Sequence, residues 1–303
     1  MTTQTNTMAE AFANIKAATT TSSLQERNIK RVQDLVAEFQ AGRPEGYMAG
    51  VADDIKGSVL GGLIPGGDNF TNKGEFGAIM EKMGEYLEVK KFEPVNWRAV
   101  GDDVLFAVNW EMVWLATGKT VETTAIVRKV VKNGMICEKY HMIDVEAVTG
   151  VKQTEAPQVT RVKELLAEFL AGRPEGYMAG VADDIKGSVL GGLIPDADNI
   201  KNKADFGALM EKMGDYVEMI RFEPTNFRGL PNNDMMFEVN WEMVYKPTGK
   251  KIETTAIVRK VLNEDGMICE KYHMCDVAAI TKVEESPRDV LLAAVGETIP
   301  EWK

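Results

Sequence analysis

Residues 41–65 read AGRPEGYMAGVADDIKGSVLGGLIP, and the same 25 letters return unchanged at 171–195. The copying runs further. FGAIMEKMGEYLEV (76–89) returns as FGALMEKMGDYVEM (206–219), and VNWEMVW (108–114) as VNWEMVY (239–245). ETTAIVRKV (122–130) and GMICEKYHM (134–142) return intact at 253–261 and 266–274. The offset is 130 at Ala41/Ala171, 131 at Trp110/Trp241 and 132 at His141/His273. Two one-residue insertions therefore separate the copies, in the turn-like stretches 228–235 and 262–267, where length changes are tolerated. The unit is longer than a solenoid repeat of roughly 20–50 residues. Whatever fold one copy adopts, the chain contains twice.

The copies set the expected organisation. Residues 1–26 read as a mobile arm with a short helix around MAEAFANIKAA. Residues 27–147 form domain 1, 148–157 a polar linker with Pro157, and 158–282 domain 2. Residues 283–303 form a tail whose PRDVLLAAV reads as a short helix. Each half is long enough to bury a core without staples.

Composition excludes several functions. Of 303 residues, 45% are hydrophobic and the formal net charge is −11, which argues against nucleic acid or an anionic membrane as partner. No apolar run approaches membrane-spanning length. Cys137 and Cys269 are one position copied, which argues against a disulfide framework and for a cytoplasmic or other reducing compartment. The arm lacks the Arg enrichment of a transit peptide, though organelle import stays open. With two histidines and no CxxC, no protein-built metal site is expected, and nothing implies a cofactor.

Within a copy the order of elements is legible. Val32, Leu35, Val36 and Phe39 carry helical spacing. Ala41-Gly42 stops that helix, and Pro44 suits the first turn of a second, PEGYMAGVA. Asp53-Asp54 reads as its solvated end, and the Gly-punctuated IKGSVLGGLI as a strand whose glycines permit bends. A third helix starts near Asn72 and buries Phe76, Met80, Met83 and Leu87 on one side. Period two then takes over at Val108, Trp110, Met112 and Trp114. TGK (117–119) turns into a strand from Val121 to Val131, and KNG (132–134) turns into another from Met135 to Val145. Helices first and an antiparallel meander after predict an α+β fold: helices packed on one face of a curved antiparallel sheet, twice.

That order, with VQDLVAEFQAGRPEGYMAGVADDI (32–55), TGKTVETTAIVRKV (117–130) and NGMICEKYHMID (133–144), resembles the NTF2-like superfamily, in particular its SnoaL-like and ketosteroid-isomerase-like cone domains. The resemblance implies a conical domain with a deep pocket between helices and sheet. The superfamily hosts isomerases, cyclases, dehydratases, epoxide hydrolases, ligand carriers and assembly modules, so fold alone selects no function. The steroid isomerases' Asp base falls at Val59 and Val189. Their oxyanion-hole Tyr falls at Leu35 and Leu165, and their protonated Asp at Ile126 and Ile257. Apolar side chains cannot exchange protons, so that chemistry is absent from both copies. Tandem epoxide hydrolases of this fold also keep an acid where Val59 stands. The catalytic Asp of SnoaL-like cyclases aligns with His141 and His273, which retain a proton acceptor. If that strand face lines the pocket, Lys139 lowers the histidine pKa and Cys137 sits nearby.

Three functions follow as expectations. The first is binding of a small apolar molecule in each cone, without isomerase-type catalysis. Its pocket would comprise Val59, Met80, Met83, Trp110, Met112, Ile126 and Tyr140, with Val189, Met210, Met213, Trp241, Met243, Ile257 and Tyr272 in the second copy. The second is cyclase-, isomerase- or dehydratase-like proton transfer by His141 and His273. The third is a non-catalytic assembly module, its sheet faces paired within the chain as a pseudo-dimer or between chains as a homo-oligomer. A structural histidine and core-filling Trp, Tyr and Met are the ordinary alternatives for each of these residues.

Overall fold

The computed structural model describes residues 24–275, apart from 153, 191, 192, 196 and 198, together with residue 280. The helix expected around residues 8–18 and the tail 283–303 lie outside the described residues.

Domain 1 begins with helix α1 (24–40), which buries Val32, Leu35 and Val36 on one stripe. Helix α2 (Pro44–Ala49) starts on a proline, whose missing N–H is unneeded in a first turn. Strand β1 (Val51–Val59) follows, then helix α3 (Lys73–Tyr86). Asn72 caps α3 by accepting from the Glu75 N–H at 2.9 Å, while the Glu75 carboxylate accepts from the Thr71 N–H at 2.7 Å. Strands β2 (Leu87–Val100), β3 (Asp103–Trp114), β4 (Lys119–Lys132) and β5 (Met135–Met142) form the meander. A short helix α4 (Val145–Thr149), capped by Asp144 and ended by Gly150 at φ 72°, leads away.

Domain 2 repeats the plan with α5 (Pro157–Leu170), α6 (Pro174–Ala179), β6 (Val181–Val189), α7 (Lys203–Tyr216), β7 (Val217–Gly229), β8 (Asp234–Tyr245), β9 (Lys250–Leu262) and β10 (Ile268–Met274). The strand orders are β1-β5-β4-β3-β2 and β6-β10-β9-β8-β7. This is an α+β arrangement, helices packed on a five-stranded sheet, built twice. Among the described residues, no helix is long and apolar enough to cross a membrane.

Four details differ from the sequence reading. Each sheet is mixed, because β1 runs parallel to β5 and β6 to β10. The strand β2 replaces unassigned chain, so Leu87 opens a strand instead of closing α3. Two register shifts and Pro94 disrupt its alternation, as suits an edge strand. Asp53 and Asp54 lie inside β1, where a register shift between Val51 and Lys56 leaves both outside the core. The last strand stops at Met142, since Asp144 caps a helix.

The concave face of each sheet packs on its own helices. The opposite faces meet each other. Leu105, Ile126 and Met142 join Leu230, Met236, Ile257 and Met274 in one buried cluster, flanked by Val100, Tyr140 and Tyr272. Arg98 donates across it to the Thr255 carbonyl at 3.1 Å. Arg128 bonds Asp103 at 2.5 Å and Glu138 at 3.2 Å, and Arg259 repeats this with Asp234 at 2.8 Å and Glu270 at 3.2 Å. Each guanidinium also lies over a tyrosine of that face, Tyr140 or Tyr272. These ion pairs are partly or fully shielded from water, so they hold charge in place where an exposed pair contributes little.

Candidate functional site

Gly57 fixes the geometry of the first cavity. Its φ is 151°, and a Cβ there would lie 1.8 Å from the Lys139 carbonyl oxygen. Only glycine lets β1 approach β5 this closely. The contact sets Gly57 opposite Lys139 and Val59 opposite His141. On the other side of β5, Lys129 faces Lys139 and Val127 faces His141. Residues opposite in a sheet share a face. Lys129, Lys139, His141 and Val59 therefore turn together towards the helices, where Tyr47 of α2 and Met80 and Met83 of α3 complete the wall. Gly187 does the same in domain 2, with 1.8 Å between its would-be Cβ and the Lys271 oxygen.

The enclosed space is narrow. The cavity volumes are about 30 Å³ in domain 1 and about 40 Å³ in domain 2. The walls are mainly apolar, and no Asp or Glu of the described residues lines either one. Several lining groups nevertheless carry unused hydrogen-bonding capacity. Tyr47 Oη, Trp110 Nε1 and His141 Nε2 are buried without a protein partner, as are Trp241 Nε1 and His273 Nε2. Such groups ordinarily find a partner, because leaving one unmet costs roughly 1–3 kcal/mol.

The buried lysines are the most unusual element. Lys139 Nζ sits 4.6 Å from the Phe76 ring centre, and Lys129 Nζ 4.9 Å from that of Tyr47. In domain 2, Lys271 Nζ lies 4.6 Å from the Phe206 ring centre, and Lys260 Nζ donates to Tyr177 Oη at 3.1 Å. Burial pushes Lys139 and Lys271 down to about 7. Burial, reinforced by the facing lysine, holds Lys129 and Lys260 well below the ordinary lysine range. His141 and His273 are held well below their usual value, by burial first and the two lysines second. The Tyr47 and Tyr177 phenols are pushed up by burial and stay protonated. Near neutral pH each cavity is thus lined by a lysine that readily loses its charge, Lys139 or Lys271, with a neutral imidazole and a phenol donor.

The structure brings some of the sequence candidates together and separates others. Val59, Met80, Met83, Trp110 and His141 line cavity 1, and Val189, Met210, Met213, Trp241 and His273 line cavity 2. Ile126, Tyr140, Ile257 and Tyr272 do not; they lie on the opposite face, in or against the cluster between the sheets. Strand alternation explains this, since Ile126 adjoins Val127, and Tyr140 lies between Lys139 and His141. Met112 and Met243 are fully buried in core packing and line neither cavity. Cys137 also leaves the site. The register shift between Val130 and Val131 breaks the parity of β5, and its Sγ donates to the Val130 carbonyl at 3.4 Å.

Lys129, Lys260, Tyr47 and Tyr177 were not foreseen. The parity of Val127 and Lys129 within ETTAIVRKV was the available signal, but a strand lysine ordinarily reads as solvent-facing. Among the described residues no cluster of His, Cys, Asp or Glu could hold a metal ion, and Cys137 and Cys269 are free thiols.

No family model and no curated protein matches the chain. Solved structures do resemble parts of it. An NTF2-like protein from Burkholderia xenovorans is 22% identical, covering 43% of this chain and 98% of its own, with a TM-score of 0.38. A protein assigned as a SnoaL-like polyketide cyclase from Mesorhizobium loti is 22% identical over 37% and 95%, with a TM-score of 0.33. An LEH-like epoxide hydrolase from M. tuberculosis is 14% identical over 42% and 89%, with a TM-score of 0.35.

Proposed function

We propose that each domain binds a small, largely apolar molecule in the cavity between its helices and concave sheet. The observation that carries this reading is the pairing of an apolar wall with unpartnered buried polar atoms, Trp110 Nε1 and His141 Nε2, repeated at Trp241 and His273. Ligand pockets combine these features: apolar lining for affinity and a few polar atoms for orientation. The cavity is small, so entry requires the flexible Met80 and Met83, or Met210 and Met213, to swing aside. Native mass spectrometry of the purified chain, with solvent extraction of any bound compound, tests this. Two bound molecules per chain, or saturable uptake of a neutral apolar fluorophore at two sites, is the expected result. Domains that stay empty and take up no probe would remove the reading.

A proton-transfer enzyme using His141 and His273 is the second reading, favoured by their unpartnered Nε2 atoms. Their depressed pKa values make them weak bases near neutral pH, whereas an efficient general base titrates close to it. Replacing both with Gln separates the readings: in the first, uptake weakens without being abolished, because the apolar wall and the Trp donors remain, while in the second turnover is lost. The cluster between the two sheets supports a pseudo-dimer within one chain, and light scattering that reports a monomer is the outcome expected of it.

A further inference from the structure

We infer that Lys139 and Lys271 are amine nucleophiles that capture an aldehyde or ketone borne on an apolar body, holding it in the cavity as an imine. This rests on the cavity-binding reading and names its substrate class. Four observations converge on it.

Both lysines line their cavities, in strands pinned by the Gly57 and Gly187 contacts, so their position is set by backbone rather than by a mobile loop. No carboxylate answers them: among the described residues neither they nor Lys129 and Lys260 form an ion pair, and no acid lines either cavity. A buried amine without a counter-charge favours its neutral, nucleophilic form, and a second amine opposite increases that preference. Lys129 and Lys260 hold that opposite place in the β4–β5 and β9–β10 registers. The remaining groups facing Lys139 suit a carbonyl oxygen. Tyr47 of α2 has a buried, unpartnered hydroxyl that stays protonated, and His141 on the same strand face is a neutral acceptor. Phe76 of α3, against the amine, is apolar. The same Lys–Tyr–His set stands in domain 2 as Lys271, Tyr177 and His273, with Tyr177 bonded to Lys260.

The step balances without a redox partner. The lone pair of the neutral Nζ forms a bond to the carbonyl carbon, and the C=O π pair moves to oxygen, which takes a proton. Oxygen then leaves as the C=N bond forms. The two Nζ hydrogens depart with it, so one water is released per imine. Tyr47 is placed to lend and recover the proton on oxygen.

Butanal with sodium cyanoborohydride, at limiting concentration and about pH 7, tests the inference on the intact chain. Reduction converts an imine to a stable butyl-lysine, which peptide mass mapping locates. A lysine at about 7 is half neutral there, while an ordinary one is neutral in roughly one molecule in a few thousand. Allowing for restricted access, initial labelling at Lys139 and Lys271 is expected at least about tenfold faster than at exposed Lys82 or Lys119. In the double variant Lys139→Met, Lys271→Met the rapid phase of two butyl groups disappears. If that variant does not fold, the site map on the unaltered chain decides alone. Labelling at the two lysines no faster than at Lys82 overturns the inference. If the neutral fluorophore still binds in that case, the cavity reading stands; if it does not, both fall.

Discussion

Raising the pH from about 7 to about 9 will stabilise this protein, and the buried lysines set the size of the effect. A lysine in an unfolded chain titrates near ~10.4, whereas burial holds Lys139 at about 7. Between those values the unfolded state binds a proton that the folded state does not. Stability therefore rises with pH through the window, and is withheld as pH falls to the folded value. Integrated for one such group, the gain is about 2 kcal/mol between about pH 7 and about pH 9, and about 5 kcal/mol over the whole window. Lys271 contributes the same to domain 2. Lys129 and Lys260 act in the same direction, and His141 and His273 have given up their share once pH exceeds the ordinary histidine value of ~6.5. Thermal unfolding at constant ionic strength, for the natural chain and for Lys139→Met with Lys271→Met, isolates the term. The difference between the two curves should close by about 2 kcal/mol per domain across the window, several degrees in Tm. At pH 7 the variant should be the more stable. Parallel Tm–pH curves for the two proteins would refute the argument.

Other outcomes follow from single contacts. Gly57→Ala forces a Cβ within 1.8 Å of the Lys139 oxygen and should cost domain 1 more than about 3 kcal/mol in denaturant unfolding. Gly84→Ala, in open space on α3, should instead stabilise by about 0.5–1 kcal/mol. Ile126→Ala removes a fully buried side chain between the sheets and should cost about 2–5 kcal/mol while leaving fluorophore uptake intact, because Ile126 is not a cavity residue. Asn72→Ala deletes the α3 cap and should cost about 1 kcal/mol by the same unfolding assay.

The duplication and the helix–meander order were legible because helical spacing at Val32–Phe39 and alternation at Val108–Trp114 are local signals. The parallel pairing of β1 with β5 was not, since some eighty residues separate Gly57 from Lys139 and nothing local marks the contact. Strand β2 stayed hidden because an edge strand with Pro94 and two register shifts carries no clean period. The site divided along the same line. Val59 and His141 were found through the family resemblance, Trp110 from strand alternation and the α3 methionines from helical spacing. Ile126 and Tyr140 were misplaced because a sheet packed on both sides is apolar on both, so hydropathy cannot say which face holds the cavity. Lys129 was missed for the opposite reason: charge suggests solvent, and only register shows it facing Lys139.

The cluster of Leu105, Ile126, Met236 and Ile257 joins two domains carried on one chain. Association of separate cone domains through such a face would obey mass action and weaken on dilution. Here the second domain is held at a fixed local concentration by the short connection between α4 and α5, whatever the amount of protein present. The ratio of the two cavities is therefore locked at one to one. Each can drift in sequence without competing for partners, as Val36 in the wall of cavity 1, set against Leu166 at the same place in cavity 2, already illustrates.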